Sequence, residues 1–281
     1  MFTPLFAGKQ YNAQLQQQGY AIVPFLQPQE VRELTDFFYA HHPVLPDGMY
    51  ASSHAPDYAL RQAMDEKIKA VCHRAVYDTF AQAQMLGATF MVKNKGENGS
   101  LHPHQDWTIV DETQHYSYNL WLPLVDVNET NGTILLLPDS HRWLNNIRGL
   151  NIPSSLEPVM NDLWPLLKPI CLKAGEALIY DHRMIHASGI NHSQQPRLVI
   201  VYGLIPEKAE MRFYYGEDHH IAEYGCTPSF YFQENILKGP ADLPLLRRFA
   251  NNNPVLHPKQ LKTLSSPSTG LRNLLKKMWP F

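Results

Sequence analysis

The chain is poor in cysteine, in net charge and in long apolar runs, and each shortage excludes a class of protein. Its three cysteines, Cys72, Cys171 and Cys226, lie far apart in 281 residues and form no CxxC pair. We therefore expect neither a disulfide framework nor a thiolate zinc site, and a reducing compartment is favoured. The formal net charge is -2, so we expect no electrostatic field that would recruit nucleic acid.

The amino-terminal segment also lacks a basic stretch followed by an apolar one, so we expect no signal peptide. No apolar run approaches the length that spans a membrane. These absences predict a cytoplasmic protein, and its oligomeric state stays open. With 44% hydrophobic residues, a chain of this length can bury a sizeable core.

The texture of the sequence changes near Gly87. Before it, residues 19–25 predict a short strand, and residues 28–84 have the apolar spacing of helices, with Pro28 able to open the first. Beyond it, short apolar runs between turn residues predict strands at 88–92, 118–125, 133–137, 177–180 and 198–205. The dipeptide Asn131-Gly132 predicts a β-hairpin. The predicted fold class is mainly β with flanking helices, as a sandwich or barrel.

We expect a single domain over residues 1–262, with helices within 28–84, a β core at about 86–206 and a covering region at 207–262. The covering region is aromatic and loop-like, and it could form a substrate lid or simply pack on the core. Residues 263–281 predict a linker and a short amphipathic helix. For that helix, docking on its own core is favoured over peripheral contact with a membrane or a partner groove.

The segment LHPHQDW at 101–107 carries the first chemical signal. His104 and Asp106 are two residues apart, so on an extended strand their side chains share a face. An imidazole beside a carboxylate supplies two of the three ligands of a facial iron site. An HxD triplet by itself is weak evidence, because it occurs by chance in many chains.

A third ligand has to come from a later histidine, and His182, His186 and His192 are the candidates. His186 lies eleven residues before Arg197, which opens an apolar strand just past Pro196. An arginine there can direct its planar fork into the core and bind a carboxylate through two hydrogen bonds. The alternative for Arg197 is an internal ion pair with Asp or Glu.

Taken in order, HxD, then NGxxxxxPxSH at 131–141, then His186-x-Ser188 and Arg197 resemble the phytanoyl-CoA dioxygenase family, over about residues 15–205. The resemblance implies a double-stranded β-helix core of the jelly-roll or cupin-like kind. It also implies iron(II) as the metal, 2-oxoglutarate as the co-substrate and O2 as the oxidant. Asp139 departs from the pattern, since the family commonly has glycine there, so that turn could be shaped differently.

The resemblance also implies roles for seven side chains. The implied iron ligands are His104, Asp106 and His186. The implied co-substrate residues are Arg197 and Ser188, which bind the distal carboxylate of 2-oxoglutarate, with Trp121 and, as a further candidate, Asn119 on one strand face. Lys93 and Lys95 flank the approach to the metal segment, and one of them could touch substrate or co-substrate.

The implied reaction is hydroxylation of an unactivated C–H bond of a small organic substrate, with release of succinate and CO2. Two other functions stay open. One is a cupin-type metal-dependent isomerase or hydrolase, which would not need Arg197. The other is a non-catalytic binding protein that keeps the fold. The identity of the substrate is not indicated by any motif.

Overall fold

The computed structural model describes residues 4–45, 47–96, 99–233 and 238–265, and its strands pair antiparallel in three sheets flanked by helices. The strands are β1 (Tyr20–Pro24), β2 (Met49–Ala51), β3 (Ala83–Lys93), β4 (Leu101–His104), β5 (Tyr118–Pro123), β6 (Ile134–Leu136), β7 (Lys168–Pro169), β8 (Glu176–Asp181), β9 (His186–Ser188), β10 (Arg197–Pro206), β11 (Arg212–Glu217), β12 (His220–Gly225) and β13 (Leu245–Ala250). The helices are α1 (Lys9–Gln18), α2 (Pro28–His41), α3 (Tyr58–Thr79), α4 (Met160–Leu163), α5 (Pro228–Gln233) and α6 (Pro258–Leu264).

The strands form three sheets. The major sheet has the order β1-β8-β5-β10-β3-β2, the minor sheet has the order β4-β9-β6-β7, and the cover sheet has the order β11-β12-β13. Strands that are neighbours in the major sheet are far apart along the chain, so its pairing depends on long-range contacts. No helix in the described ranges combines the length and the apolar character needed to cross a bilayer.

Helices α1, α2 and α3 contribute to the core on the outer face of the major sheet. The second of them begins at Pro28, as predicted, and it buries Val31, Leu34 and Phe38 at helical spacing. These side chains share one apolar core with sheet residues such as Phe90. Complete burial of a side chain of this size contributes about 1.5–3 kcal/mol. The outer layer therefore anchors the sheet on which the site is built.

The inner face of the major sheet packs against the minor sheet. Along β5, β8 and β10 alternate residues point inward, because successive side chains of a strand face opposite sides. Trp121, Leu178 and Val199 from these strands share a buried cluster with Ile134 and Leu136 of β6. The space between the two sheets is therefore largely apolar and buried, and polar groups placed in it require partners.

The predicted strands after Gly87 are confirmed, and they correspond in order to β3, β5, β6, β8 and β10. The strand at 19–25 is β1. The helical interpretation of residues 28–84 extends too far, since α3 ends at Thr79 and Phe80 is already extended with φ -110° and ψ 139°. The amphipathic helix expected after residue 263 falls almost entirely beyond residue 265, outside the described residues.

The hairpin predicted at Asn131-Gly132 is wrong. Strand β5 belongs to the major sheet and β6 to the minor sheet, so this turn carries the chain from one sheet to the other. Gly132 has a φ of 71°, and a Cβ there would lie 2.7 Å from the carbonyl oxygen of Gly189. The glycine is needed for the close approach of two backbone segments, and the pattern resembles a hairpin only locally.

The loop-like interpretation of the segment 211–256 is also wrong. Much of it is the cover sheet, in which β12 pairs with both β11 and β13. Phe213 and Tyr224 pack in a small aromatic cluster with Phe230 of α5. Aromatic residues favour strands because they pack well on a half-buried pleated surface. In the sequence, turn residues interrupt this segment, so the preference of its aromatic residues for strands is not apparent.

Gly175 joins the turn before β8 to the segment that leads into α2. Its φ is 89°, and a Cβ would lie 2.6 Å from the carbonyl oxygen of Leu26. Its own carbonyl accepts hydrogen bonds from the backbone N–H groups of Phe25 and Leu26, at 3.0 and 2.9 Å. We expect Gly175→Ala to lower the free energy of unfolding by about 2 kcal/mol or more, because the left-handed backbone and the clash both penalise a side chain.

Urea denaturation followed by circular dichroism measures this loss. Gly225→Ala is the matched control, because Gly225 lies on β12 outside the left-handed region and its nearest neighbour atom would be 3.6 Å away. Equal losses in the two variants would contradict the argument.

Candidate active site

Two histidines meet because β4 and β9 pair antiparallel. In that register His104 lies opposite His186 and Leu101 opposite Ser188, with an irregularity between the two pairs. Directly opposed residues of an antiparallel pair project their side chains from the same face. The two imidazole ring centroids are 4.2 Å apart. Strand pairing therefore brings together two residues that are separated by most of the β core.

Asp106 completes a cluster of three possible metal ligands. Nε2 of His186 lies 3.6 Å from Oδ2 of Asp106, and Nε2 of His104 lies 4.0 Å from Oδ1. One ligand atom from each residue lies within 4.8 Å of the other two, so the set could hold a metal ion. Two imidazoles and one carboxylate are the donors of facial iron(II) sites, which leave further coordination positions open.

Each of these histidines is oriented by a backbone carbonyl group. Nδ1 of His104 lies 2.7 Å from the carbonyl oxygen of His102, and Nδ1 of His186 lies 3.0 Å from that of Met184. Because a carbonyl oxygen only accepts, both Nδ1 atoms donate and both Nε2 lone pairs are free for a metal. Burial, opposed by the charge of Asp106, lowers the pKa of His186 to about 4. The imidazole is therefore held in the neutral, ligating form.

Asp106 lies just past the end of β4 and is held by three hydrogen bonds. Its backbone N–H donates to the carbonyl oxygen of His182 at 3.0 Å. The side chain of Asn119 donates to its Oδ2 at 2.9 Å, and Nε of Arg148 donates to its carbonyl oxygen at 2.7 Å. Burial opposes ionisation of Asp106, but the adjacent histidines, His186 foremost, and the Asn119 bond lower its pKa.

An ion pair beneath this segment was not anticipated from the sequence. The two terminal nitrogens of Arg148 donate to the carboxylate oxygens of Glu112 at 2.9 and 2.6 Å. Both side chains are nearly buried, with 8% and 12% exposed. Because the same guanidinium binds the Asp106 carbonyl, the pair fixes the backbone that carries the carboxylate. No spacing in the sequence relates residues 148, 112 and 106, so only folding reveals the pair.

Arg197 lies at the start of β10, and its guanidinium is buried between the sheets, with 1% of the residue exposed. One terminal nitrogen donates to the carbonyl oxygen of Gly132 at 2.6 Å, and Nε has no hydrogen-bond partner among the described residues. The guanidinium carbon is 5.4 Å from the ring centroid of Trp121. Burial lowers the pKa of Arg197 to about 10. Nothing described here supports the alternative of an internal ion pair.

A second buried cation, Lys93, lies opposite Arg197 in the pairing of β3 with β10. Its Nζ donates to Oγ of Ser188 and to the carbonyl oxygen of Gly189, both at 2.6 Å. Burial and then repulsion by Arg197 lower the pKa of Lys93 to about 7. Two buried cations with no acidic partner among the described residues fit one carboxylate group of a ligand. We call the space around the Arg197 guanidinium and the Lys93 amine the cation compartment. Lys95 is exposed and lies outside it.

Of the three remaining predicted co-substrate residues, Ser188 and Trp121 lie around the same space. Ser188 is two residues beyond His186 on β9, and it accepts the hydrogen bond from Lys93. Trp121 lies beside the Arg197 guanidinium. The amide of Asn119 is directed elsewhere, since besides Asp106 it donates to the hydroxyl of Tyr180 at 3.3 Å. Its described bonds therefore belong to the metal cluster and not to the cation compartment.

Tyr180 is a site residue that the sequence interpretation missed. Its ring centroid is 5.0 Å from that of His186, and it lies opposite Asn119 in the pairing of β5 with β8. Burial and the charge of Asp106 raise its pKa well above the usual value, so the hydroxyl stays protonated. In the sequence Tyr180 is only the last residue of an apolar run. The pairing of β8 with β5 places it beside Asn119 and His186.

The other histidines do not join the cluster of ligand atoms in the described structure. His192 is exposed. His182 is buried beside Asp106, with Nδ1 3.0 Å from Oγ of Ser117 and no described partner for Nε2. His102 is an exposed residue of β4. Asp139 has a φ of 65°, the left-handed conformation that glycine favours, so the turn forms despite the substitution.

A cavity of about 790 Å³ lies next to the metal cluster. Asn119 and His182, which both contact Asp106, line it. Met211 and Tyr231 of the predicted covering region line it as well. The cavity is therefore bounded by the major sheet, by the metal segment and by the chain that follows the β core.

Facing antiparallel sheets, a His–Asp–His cluster and a buried cation compartment together define a class, the non-haem iron oxygenases of the 2-oxoglutarate type. The family profile described as Phytanoyl-CoA dioxygenase (PhyH) matches residues 15–199. Since that match covers more than half of the chain, the chain belongs to the phytanoyl-CoA dioxygenase family.

Similar proteins agree with this assignment. "Phytanoyl-CoA dioxygenase 1" of Oryza sativa subsp. japonica is 27% identical over 123 residues, which are 42% of this chain and 43% of that protein. The chain thus spans less than half of the length of this curated relative.

Two solved structures show the likeness in fold. The epimerase SnoN, in complex with Fe3+, alpha ketoglutarate and nogalamycin RO, is 18% identical with a TM-score of 0.53, over 85% of this chain and 98% of that one. HygX from Streptomyces hygroscopicus, with nickel, 2-oxoglutarate and hygromycin B bound, is 16% identical with a TM-score of 0.46, over 72% and 88%. At 18% identity the likeness to SnoN concerns the fold alone.

Removal of the carboxylate tests the metal cluster directly. We expect Asp106→Ala to weaken binding of Mn2+ by about 100-fold or more, because even the residues that support metal ligands contribute about 10- to 100-fold. Isothermal titration calorimetry without any co-substrate measures the effect. Asp162→Ala is the control, since Asp162 is an exposed acid outside the cluster. Unchanged Mn2+ affinity in Asp106→Ala would mean that the metal binds elsewhere.

Proposed function

We propose that the protein is an iron(II)- and 2-oxoglutarate-dependent dioxygenase that hydroxylates an unactivated C–H bond of a small organic substrate and releases succinate and CO2. The observation that carries the proposal is the combination of the His104–Asp106–His186 cluster with the buried guanidinium of Arg197, which has no acidic partner among the described residues and whose Nε is without a hydrogen bond there. A metal site alone would fit many enzymes. The nearby cation compartment is what a dicarboxylate co-substrate requires.

In this proposal His104, Asp106 and His186 hold the iron. Arg197 binds the distal carboxylate of 2-oxoglutarate, and Ser188 donates a second hydrogen bond to it. The donor set supports iron, since both imidazoles present Nε2 and the carboxyl is ionised. When bound, iron(II) with 2-oxoglutarate and O2 supplies an oxidant strong enough to attack a C–H bond.

Three neighbouring side chains complete the proposed site. Lys93 adds a second charge to the compartment and, through its bond to Ser188, links it to the strand that carries His186. Trp121 forms a wall beside Arg197. Asn119 orients the carboxylate of Asp106 and adjoins the cavity, which we assign to the substrate. The protein thus positions the metal ligands, neutralises the co-substrate and excludes water.

The same proposal extends to architecture. The major and minor sheets are proposed to form a double-stranded β-helix, supported by their shared buried cluster and by the SnoN likeness. The domain limit at residue 262 and the cytoplasmic location stay predictions.

A cupin-type isomerase or hydrolase would bind no dicarboxylate co-substrate, so Arg197 and Lys93 would have no anion to bind. Burial of two unpaired cations costs several kcal/mol unless an anion joins them, so we favour the oxygenase. An epimerase, the activity stated for SnoN, would also need the co-substrate. Incorporation of 18O from O2 into the product separates hydroxylation from epimerisation, and succinate release coupled to O2 uptake separates both from the isomerase and from a binding protein.

Replacement of the buried guanidinium tests the co-substrate site. We expect Arg197→Met to raise the KM for 2-oxoglutarate by at least about 100-fold, since the loss of one partner from a buried ion pair costs about 3–5 kcal/mol and each 1.4 kcal/mol is about tenfold. Succinate formation over a range of 2-oxoglutarate concentrations measures the effect, while Mn2+ affinity is expected to stay unchanged. Arg32→Met, at an exposed position, is the control. A normal KM in Arg197→Met would rule out the assigned role.

The pH dependence of co-substrate binding tests Lys93. Without an anion its pKa is about 7, so above that pH the amine is neutral and has to take up a proton when the dianion binds. We expect the affinity of the Mn2+-loaded protein for 2-oxoglutarate to fall as the pH rises from 7 to 9, by up to about tenfold per unit. Titration calorimetry measures the affinity. Lys93→Met should flatten the profile and Lys95→Met should not. A flat wild-type profile would contradict the expectation.

A further inference from the structure

The cavity beside the metal cluster has a direction that the strand order defines. It begins at Asn119 on β5, continues over Val201 and Gly203 on β10 and Thr89 on β3, and reaches the turn at residues 53–56 after β2. Neighbouring strands lie about 4.8 Å apart, so the path from β5 to the β2 edge is about 14 Å long. The metal cluster lies at its β5 end, because Asn119 is bonded to Asp106.

The walls of this cavity are mostly apolar. Apolar side chains from several elements line its length: Leu86, Ile109, Val201, Met211 and Tyr231. Gly203 lies opposite Asn119 in the pairing of β5 with β10, at a bulge in the pairing of β10 with β3, so no side chain blocks the path there. Among the described residues that line the cavity, none is Asp or Glu. A ligand with an apolar body fits, and nothing along this lining would attract a cation.

One cationic side chain lies at the β2 end of the cavity. Arg61, on the first turns of α3, lines it together with Ser53, His54 and Pro56. Its Nε is buried without a hydrogen-bond partner among the described residues. The guanidinium carbon lies 5.4 Å from the ring centroid of Tyr58. Buried polar groups nearly always have partners, so an unsatisfied donor at a cavity wall indicates that the ligand supplies the acceptor.

The metal end of the cavity has the opposite character. Asn119 and His182 line it there, and Arg61 is the one Lys or Arg side chain among the described residues that line the cavity. An anionic group of the substrate therefore finds a cationic side chain only at the β2 end. The substrate is therefore oriented, with its anion beside Arg61 and its apolar portion toward the metal.

We infer that the substrate is an apolar carboxylic acid, bound through its carboxylate by Arg61 and oxidised at a carbon remote from that carboxylate. The inference rests on the proposed function, because it takes the cavity as the substrate site. Arg61 is a substrate-binding residue in this arrangement and does not touch the reacting atoms. The length of the cavity places the oxidised carbon roughly 10–14 Å from the carboxylate, two to three strand spacings.

Binding of matched acids and amides tests the inference without turnover. Octanoic, decanoic and dodecanoic acids are titrated against the corresponding primary amides into the Mn2+-loaded protein saturated with N-oxalylglycine, an unreactive analogue of 2-oxoglutarate. The analogue fills the cation compartment, so a carboxylate probe cannot bind at Arg197. We expect at least one acid to bind about ten times more tightly than its amide. In Arg61→Gln this preference should fall below about twofold.

Two controls distinguish the cavity from other anion sites. Arg74 lies on the same helix as Arg61 but is exposed and paired with Glu30. The variant Arg74→Gln should therefore keep the acid preference. Arg197→Met, titrated without the analogue, should also keep it. If no acid binds better than its amide, or if Arg61→Gln keeps the preference, the inference is overturned. Failure of the proposed function has a different signature, namely loss of Mn2+ or analogue binding, and the same titration in the metal-free protein still reports on Arg61.

Discussion

The site depends on a short antiparallel pairing, the contact of β4 with β9 that puts His104 opposite His186. Both strands are brief, so the backbone around them has to be fixed from outside. The Ser140 hydroxyl accepts from the backbone N–H of Ile185 at 2.8 Å, and the Arg148–Glu112 pair holds the segment of Asp106. A one-residue slip would turn every side chain of a strand to the other face and separate the two imidazoles.

The same interior carries two cations that lower the stability of the ligand-free fold. Arg197 and Lys93 are both removed from water, and neither has an acidic partner among the described residues, so their pKa values fall. An anion that joins them recovers that free energy, and a ligand that binds only the folded state stabilises it by mass action. Co-substrate affinity and local instability are therefore two consequences of one arrangement. The apolar layer under α2 and α3 offsets its cost.

The sequence predicted the parts of this site that short-range pattern and order reveal. Each main strand is a short apolar run, and His104, Asp106, His186, Ser188 and Arg197 lie in the order and spacing of a known family. The site residues that it did not predict are brought to the site by pairing between distant strands. In the sequence Lys93 is only a lysine that flanks the metal segment, and the pairing of β3 with β10 shows that it lies opposite Arg197. Tyr180 is only the end of an apolar run, and the pairing of β5 with β8 shows that it lies opposite Asn119. The hairpin predicted at Asn131-Gly132 is wrong because the residues of a turn do not determine which sheet the next strand joins.

Cationic side chains lie at two separate places, Arg197 with Lys93 between the sheets and Arg61 at the far end of the cavity, and this separation lets one interior bind two anions. The Arg197 guanidinium lies beside Trp121, two residues from Asn119 on the same face of β5, whereas Gly203, six residues after Arg197, lines the cavity. The metal carboxylate, Asp106, adjoins Asn119, the partner of Gly203. In the proposed arrangement a short dicarboxylate that reaches the metal from Arg197 does not extend to Arg61, and the bound co-substrate separates an apolar acid held at Arg61 from the Arg197 compartment. The co-substrate is therefore bound by Arg197 and Lys93 and the acid by Arg61, so in this arrangement the C–H bond and the co-substrate approach the metal from opposite sides.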